Sequence, residues 1–249
     1  MSDAQPIVSA AVHPVLPNVQ PADLLRLATF DAAADAVARS YDFARHPYFL
    51  WLGAPRTTRE AFLRSQLPFR FAVEAFSQAL AAVLARTPRL EDRMPLAENV
   101  AEEHGHGELP RTHKHTFAGF LRALGAGDAD LAQPGPIAVT AFNRSLLDHC
   151  LVERHEVGGA LLGIIEHLYT GISHAVAGAL VARGWVTPGG QQHYVLHEKL
   201  DVMHARDLFA LARPGWDAPL LRPAVADALV LGAHHFWRLY ADLAPAAGE

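Results

Sequence analysis

The sequence predicts an all-α fold, a single-domain bundle of seven to eight helices. Three observations carry this expectation. Strand-type alternation of apolar and polar residues is nearly absent. Apolar residues recur at helical spacing through most of the chain. Proline- and glycine-bearing stretches, HPYFLWLGAP, GAGDADLAQPGP and WVTPGGQQ, separate those segments.

The elements follow in order. Residues 1–20 hold three prolines and read as a flexible N-terminal arm, with residues 21–249 as the helical domain. Ala22–Arg45 is rich in alanine and leucine at helical spacing, and HPYFLWLGAP breaks it. Thr57–Arg86 opens on a capping box, Thr57 to Glu60, and carries a long apolar stripe. Pro68 inside that stripe predicts a kink or a split. A helix is expected over 93–107, loosened near its end by Gly105 and Gly107. Arg111–Leu124 is a short amphipathic helix closed by Gly125. Ile137–Glu153, Val157–Arg183 (ended by Gly184), Tyr194–Ala212 and Pro223–Leu243 complete the set.

Composition narrows the function classes. The 249 residues are 51% hydrophobic, enough for a buried core. Lys plus Arg is 21 against Asp plus Glu 26, for a net charge of −5. No basic patch stands out, so no nucleic-acid partner is expected. Cys150 is the one cysteine, which excludes an intramolecular disulfide and fits a reducing cytoplasm. No basic segment followed by an apolar core opens the chain, so no signal peptide is expected. The most apolar run, Val157–Val181, contains Glu166, His167 and His174 and reads as a buried helix of a soluble protein, so no membrane partner is expected either. Exposed apolar helices of bundles often pair, and a homodimer is expected on that ground.

Fifteen histidines are the unusual feature. In HYVLHEKLDVMHARD, His197, Asp201 and His204 follow one another at steps of four and three. At about 100° per residue they share one face within roughly 60°. That pattern alone also describes a polar stripe with no chemistry. Glu166 lies among Leu161, Leu162, Ile164 and Ile165, where a carboxylate is costly unless it is paired or bound to a cation. NVAEEHGHGELPRTHKHTF supplies Glu102, Glu103, His104, His106, Glu108, His113 and His115. Glu74, among Phe71, Val73 and Phe76, is a weaker candidate, with Arg70 one turn before it as an ion-pair partner. Mixed carboxylate and imidazole suit iron, manganese or zinc rather than calcium. Three segments that each supply such groups offer more ligands than one tetrahedral ion takes, which points to two bridged ions.

These residues carry a resemblance. NVAEEHGHGELPRTHKHTFAGFLRALG resembles the block of the haem-oxygenase-like di-iron oxidases in which a glutamate precedes a histidine by ten residues, here Glu103 and His113. GALLGIIEHLYTGISHAVAGALVARGW resembles the later helix that donates one glutamate, here Glu166. HYVLHEKLDVMHARD is similar to that family's H-x-x-x-D-x-x-H block. The resemblance implies a haem-oxygenase-like bundle that binds no haem and holds two irons per chain, cycling between Fe(II) and Fe(III). It implies that O2, as co-substrate, forms a peroxo-di-iron(III) species that oxidises a small molecule, by N-oxygenation of an amine or by oxidative C–C cleavage of an amino acid or fatty acid. Secondary metabolism is the expected setting, with room for an external electron donor. The implied ligands, which are also the implied catalytic residues, are Glu103, His113, Glu166, His197, Asp201 and His204. Glu74 is an additional candidate ligand, and His106 and His115 stand as alternatives to His113. His193, one turn before His197, is a candidate donor to the ligands.

Three other readings share the bundle, one of them a cofactor-free oxidase resembling the quinone-cofactor synthases, which would stay active in chelator. A metal-free hydrolase resembling the thiaminase II family would use Cys150 as nucleophile, although a lone cysteine among helix apolars is usually packing. A non-catalytic bundle would bind metal or a small molecule through the same residues. For a substrate pocket the candidates are Phe69, Phe71, Phe76, Tyr169 and Phe236, with Arg70 or Arg206 for a substrate carboxylate.

Overall fold

The computed structural model describes residues 16–187, 190 and 192–245, and the side chains at 192 and 195–199 fall outside that description. None of the described residues lies in a strand. The helices are α1 (Pro21–Leu24), α2 (Phe30–Ser40), α3 (Pro47–Gly53), α4 (Arg59–Gln66), α5 (Arg70–Arg86), α6 (Leu90–Glu103), α7 (His113–Ala123), α8 (Asp128–Leu131), α9 (Ile137–Val152), α10 (His155–Ala182), α11 (Gln192–Asp217) and α12 (Arg222–Leu243). The all-α expectation holds. The helices are more numerous than expected because several predicted stretches divide.

Each division has a local cause. Pro68 splits Thr57–Arg86 into α4 and α5, as its missing N–H requires. The cap of α4 is Thr58, whose side chain accepts the Ala61 N–H at 3.1 Å. Thr57, expected to cap, instead gives its hydroxyl proton to the Trp51 carbonyl. HPYFLWLGAP is not a break but a helix. Pro47 takes the first helical position and His46 Nδ1 caps the Tyr48 N–H at 3.0 Å. The loop expected at GAGDADLAQPGP contains the single turn α8, where the Asp130 carboxylate accepts the Gly127 N–H at 2.8 Å. α11 runs past Ala212 to Asp217, with Pro214 inside it.

α10 forms the centre of the bundle. Its residues from Val157 to Glu166 are all buried, as a helix apolar on every side demands. It packs most extensively on α11 and then on α12, with further contacts to α5 and α9. Gly159 permits the α11 crossing, since a Cβ there would lie 2.9 Å from the Leu208 carbonyl oxygen. Gly232 on α12 comes closer still, since a Cβ there would lie 2.4 Å from the Leu161 carbonyl oxygen. Phe43, His46, Tyr48, Trp237 and Tyr240 form one buried aromatic cluster. His46 Nε2 lies 3.1 Å from the Trp237 carbonyl, and burial lowers its pKa to about 4, so it is neutral there. The stretch Arg59–Arg86 is long and apolar enough to cross a membrane by length and composition. Its longer part, α5, packs against α9, α6 and α7.

Candidate metal centre

Four helices converge on one buried group of ligand-type side chains. α6 ends at Glu103 because Gly105, His106 and Gly107 adopt left-handed φ of 60°, 52° and 86°. A Cβ at Gly105 would lie 2.6 Å from the Arg111 backbone. This reversal returns the chain to α7, whose cap Thr112 places His113 at the first helical position. His113 Nδ1 then lies 2.9 Å from Glu103 Oε2, with both side chains buried. Glu166 enters from the middle of α10, and Asp201 and His204 enter from adjacent turns of α11. All three are buried.

His204 is the junction. Its Nε2 lies 2.5 Å from Glu102 Oε2, and its Nδ1 faces Glu166 Oε1 at 3.6 Å. That second separation exceeds a hydrogen bond, and both atoms are buried without a hydrogen-bond partner. Ligand atoms of Glu103, Glu166 and His204 all lie within 4.8 Å of one another. Two inward-facing buried atoms left unpaired beside a third carboxylate fit a cation with mixed oxygen and nitrogen ligands.

The electrostatics agree. Burial, reinforced by Asp201 and Glu103, pushes Glu166 up to about 7 against the opposing pull of His204. Burial also pushes Asp201 well above the carboxylate range, with Glu103 adding and His204 and His113 opposing. The histidines go the other way from most buried imidazoles. Burial lowers His204, but Glu166, Glu102 and Asp201 outweigh it and raise it to about 10. His113 is likewise raised, burial being overcome chiefly by Glu103. The group holds more negative charge than it can bury and retains protons to offset it. A divalent cation would do the same work and displace them.

Above this group lies a pocket with about 460 Å³ of atom-free space, part of it open to solvent. Phe69, Ala72, Val73, Phe76, Phe142, Ile165, Tyr169 and Phe236 form its walls. Glu103, His113, Glu166 and His193 line it as well. No lysine or arginine is among its described lining residues. The Thr116 hydroxyl donates to the His113 carbonyl at 3.1 Å, so His193 Nδ1, 3.2 Å from the same oxygen, is the donor there. His193 thus braces the first turn of α7 and the His113 backbone.

The residues that the sequence singles out divide clearly. Glu103, His113, Glu166, Asp201 and His204 come together. The His197 side chain lies outside the described residues. Glu74 sits in an exposed ion pair with Lys114 at 2.5 Å. His115 is exposed against Thr112. His106 joins Glu98 and Glu102 in a second, largely exposed cluster, 3.9 Å from Glu98. Of the expected pocket aromatics, Phe71 is not among the lining residues; its ring packs under the Arg70 guanidinium and against Gly135. Arg70 itself binds the carbonyls of Leu67, Leu131 and Gln133, and Arg206 pairs with Asp207 at 2.9 Å. Cys150 is buried outside the pocket lining, and burial pushes its thiol up to about 12, far from a reactive thiolate. The role of Glu102 on His204 has no counterpart among the sequence expectations, which favour its neighbour Glu103. No signal in the sequence separates two adjacent glutamates at a helix end, because helix fraying leaves their directions open.

Comparison with known proteins agrees with the geometry. The chain is 24% identical to 4-aminobenzoate synthase of Nitrosomonas europaea over 221 residues, 84% of this chain and 89% of that one. It is 25% identical to 4-aminobenzoate synthase of Chlamydia muridarum over 180 residues, 71% of this chain and 75% of that one. Its fold is similar to a haem-oxygenase-like domain from Shewanella denitrificans, with TM-score 0.71, 14% identity and 87% and 92% of the two chains covered. It is also similar to a TenA family protein from Silicibacter, with TM-score 0.65, 17% identity and 92% and 99% covered. The profile of the iron-containing redox enzymes matches residues 62–241, and the chain belongs to that family.

Proposed function

We propose that the chain is an O2-dependent oxidase or oxygenase with two non-haem irons, acting on a small, largely apolar molecule. The observation that carries this reading is the buried meeting of Glu103, Glu166 and His204, donor atoms within 4.8 Å, beside an aromatic pocket. The proposed ligands are the carboxylates Glu103, Glu166 and Asp201 and the imidazoles His113, His197 and His204. Two ferrous ions held there supply the electrons and the Lewis acidity that activate O2.

The chain's own residues do the rest. Glu102 fixes the His204 ring from its Nε2 side, leaving Nδ1 turned to Glu166. His193, through Thr116, braces the backbone that carries His113. The aromatic walls exclude water and hold an apolar body against the ligand group. N-oxygenation of an amine and oxidative C–C cleavage are both outcomes this arrangement serves. The relatives' named product carries an aromatic ring, and the walls of this pocket are largely aromatic. With no lysine or arginine among the described lining residues, a substrate carboxylate would have to find its counter-charge at the metals.

The test is O2 uptake. The iron-loaded chain is expected to consume O2, and chelation is expected to abolish the uptake. Uptake that persists in chelator would overturn the metal-based reading. Iron bound without any uptake would leave a storage or carrier protein.

A further inference from the structure

A second cavity adjoins the pocket, with about 670 Å³ of atom-free space, part of it open to solvent. The two share Val73, Glu103 and His113 as lining residues. Two of the proposed metal ligands are thus reached from this outer cavity.

The outer cavity carries groups that bind cations. Glu74, His104 and His115 line it and are exposed. The proton of each imidazole can be placed. The Val100 carbonyl only accepts, so His104 Nδ1, 2.7 Å away, carries the proton. Thr112 gives its hydroxyl proton to the Leu109 carbonyl at 2.9 Å. His115 Nδ1, 2.7 Å from Thr112 Oγ1, is therefore the donor of that pair. Each neutral ring keeps its lone pair on Nε2, a nitrogen fit for a metal. One positive charge opposes them. Lys114 is the one lysine or arginine among the cavity's described lining residues. Its Nζ lies 2.5 Å from Glu74 Oε1 and ties α7 to α5. Their side chains are 56% and 43% exposed, so this ion pair is weak and opens readily.

We propose that the outer cavity is the loading route of the metal centre: Glu74, His104 and His115 take up a divalent cation in passing and deliver it to Glu103 and His113, while Lys114 slows the passage by repelling the cation and occupying Glu74. The inference rests on the metal centre proposed above. Glu74 then serves loading and is not a resident ligand. The competing route is the surface cluster of Glu98, Glu102 and His106, since Glu102 touches His204.

Stopped-flow mixing of the metal-free full chain with Co(II), followed by its visible absorption, tests the route. At low salt Glu74→Gln is expected to load severalfold more slowly and Lys114→Met severalfold faster, both differences fading at about 0.5 M salt. Both variants break the same ion pair, so mere loosening of the structure would move the two rates in the same direction. Glu98→Gln is expected to load within about twofold of the wild-type rate. The number of ions held at equilibrium is expected to be unchanged in all three. Rates unmoved by Glu74→Gln and Lys114→Met, or moved in the same direction by both, overturn the proposal. A loading defect in Glu98→Gln alone transfers the route to the surface cluster. Fewer ions held by Glu74→Gln would make Glu74 a resident ligand and overturn it as well. A wild-type chain that takes up no Co(II) brings down the metal reading itself, whereas the other adverse results leave that reading standing.

Discussion

His204 Nε2 lies 2.5 Å from Glu102 Oε2, while its Nδ1 faces the buried carboxylate of Glu166. The imidazole is therefore gripped on one side by a glutamate nearer the surface and aimed by it at the interior. Partners of this kind orient a ligand and raise its basicity. Glu102→Gln keeps the shape and removes the charge. It is expected to weaken Fe(II) or Co(II) binding by about 10- to 100-fold without changing the number of ions bound. Titration with Co(II), followed by its visible absorption, reads both quantities, and unchanged affinity would show that Glu102 does not support the site.

Protons and metal compete for the same atoms. In the metal-free chain Glu166 takes a proton as pH falls through about 7, and His204 keeps its proton up to about 10. Both must deprotonate to ligate. Metal affinity is thus expected to rise with pH between 6 and 8, by up to about tenfold per unit for each proton released. Calorimetry in buffers of different ionisation enthalpy counts those protons; a release of none contradicts this account.

The same shifts set the stability of the metal-free fold. Glu166 is raised from 4.5 and His204 from 6.5, so each binds its proton more tightly folded than unfolded. The Glu166 contribution is complete below about 4.5 and is lost as pH rises through about 7. The His204 contribution is complete below about 6.5 and is lost toward 10. The melting temperature of the chelated chain is expected to drop between pH 5 and 8. A Zn(II)-loaded chain, in which metal replaces those protons, is expected to drop less. Parallel curves for the two forms would argue against these groups as metal ligands.

Gly159→Ala tests the packing that carries Glu166 into the site. The new Cβ would meet backbone rather than a mobile side-chain tip. A cost of about 1–3 kcal/mol is expected, with a melting temperature lower by several degrees. Cys150→Ser is the contrasting change. It buries a hydroxyl in an apolar niche and is expected to cost about 1–3 kcal/mol while leaving iron-dependent O2 uptake intact. Loss of that uptake in a folded Cys150→Ser chain would revive the thiol reading.

Much of the site is legible in the sequence because its signals are local. The three-residue step from Asp201 to His204 puts both on one face of α11, and a carboxylate inside an apolar run marks Glu166. The split at Pro68 follows from one missing N–H. The parts that are not legible depend on three-dimensional approach. Glu74 sits in an apolar stripe, yet it pairs with Lys114 across helices at the surface. Phe71 and Phe76 look alike in sequence, and only packing against Arg70 and Gly135 sets Phe71 aside. α3 resembles a break when its proline is weighed as a terminator, whereas at a first helical position proline starts a helix.

The most direct test of the central claim is the number of irons the chain holds. Anaerobic protein would be loaded with ferrous iron, freed of excess and assayed for iron per chain, alongside Glu166→Gln and His204→Ala. About two irons are expected in the wild-type chain, with one or none in either variant. A wild-type chain that retains no iron, or two variants that each retain the full complement, would contradict the assignment of Glu166 and His204 to a two-iron centre.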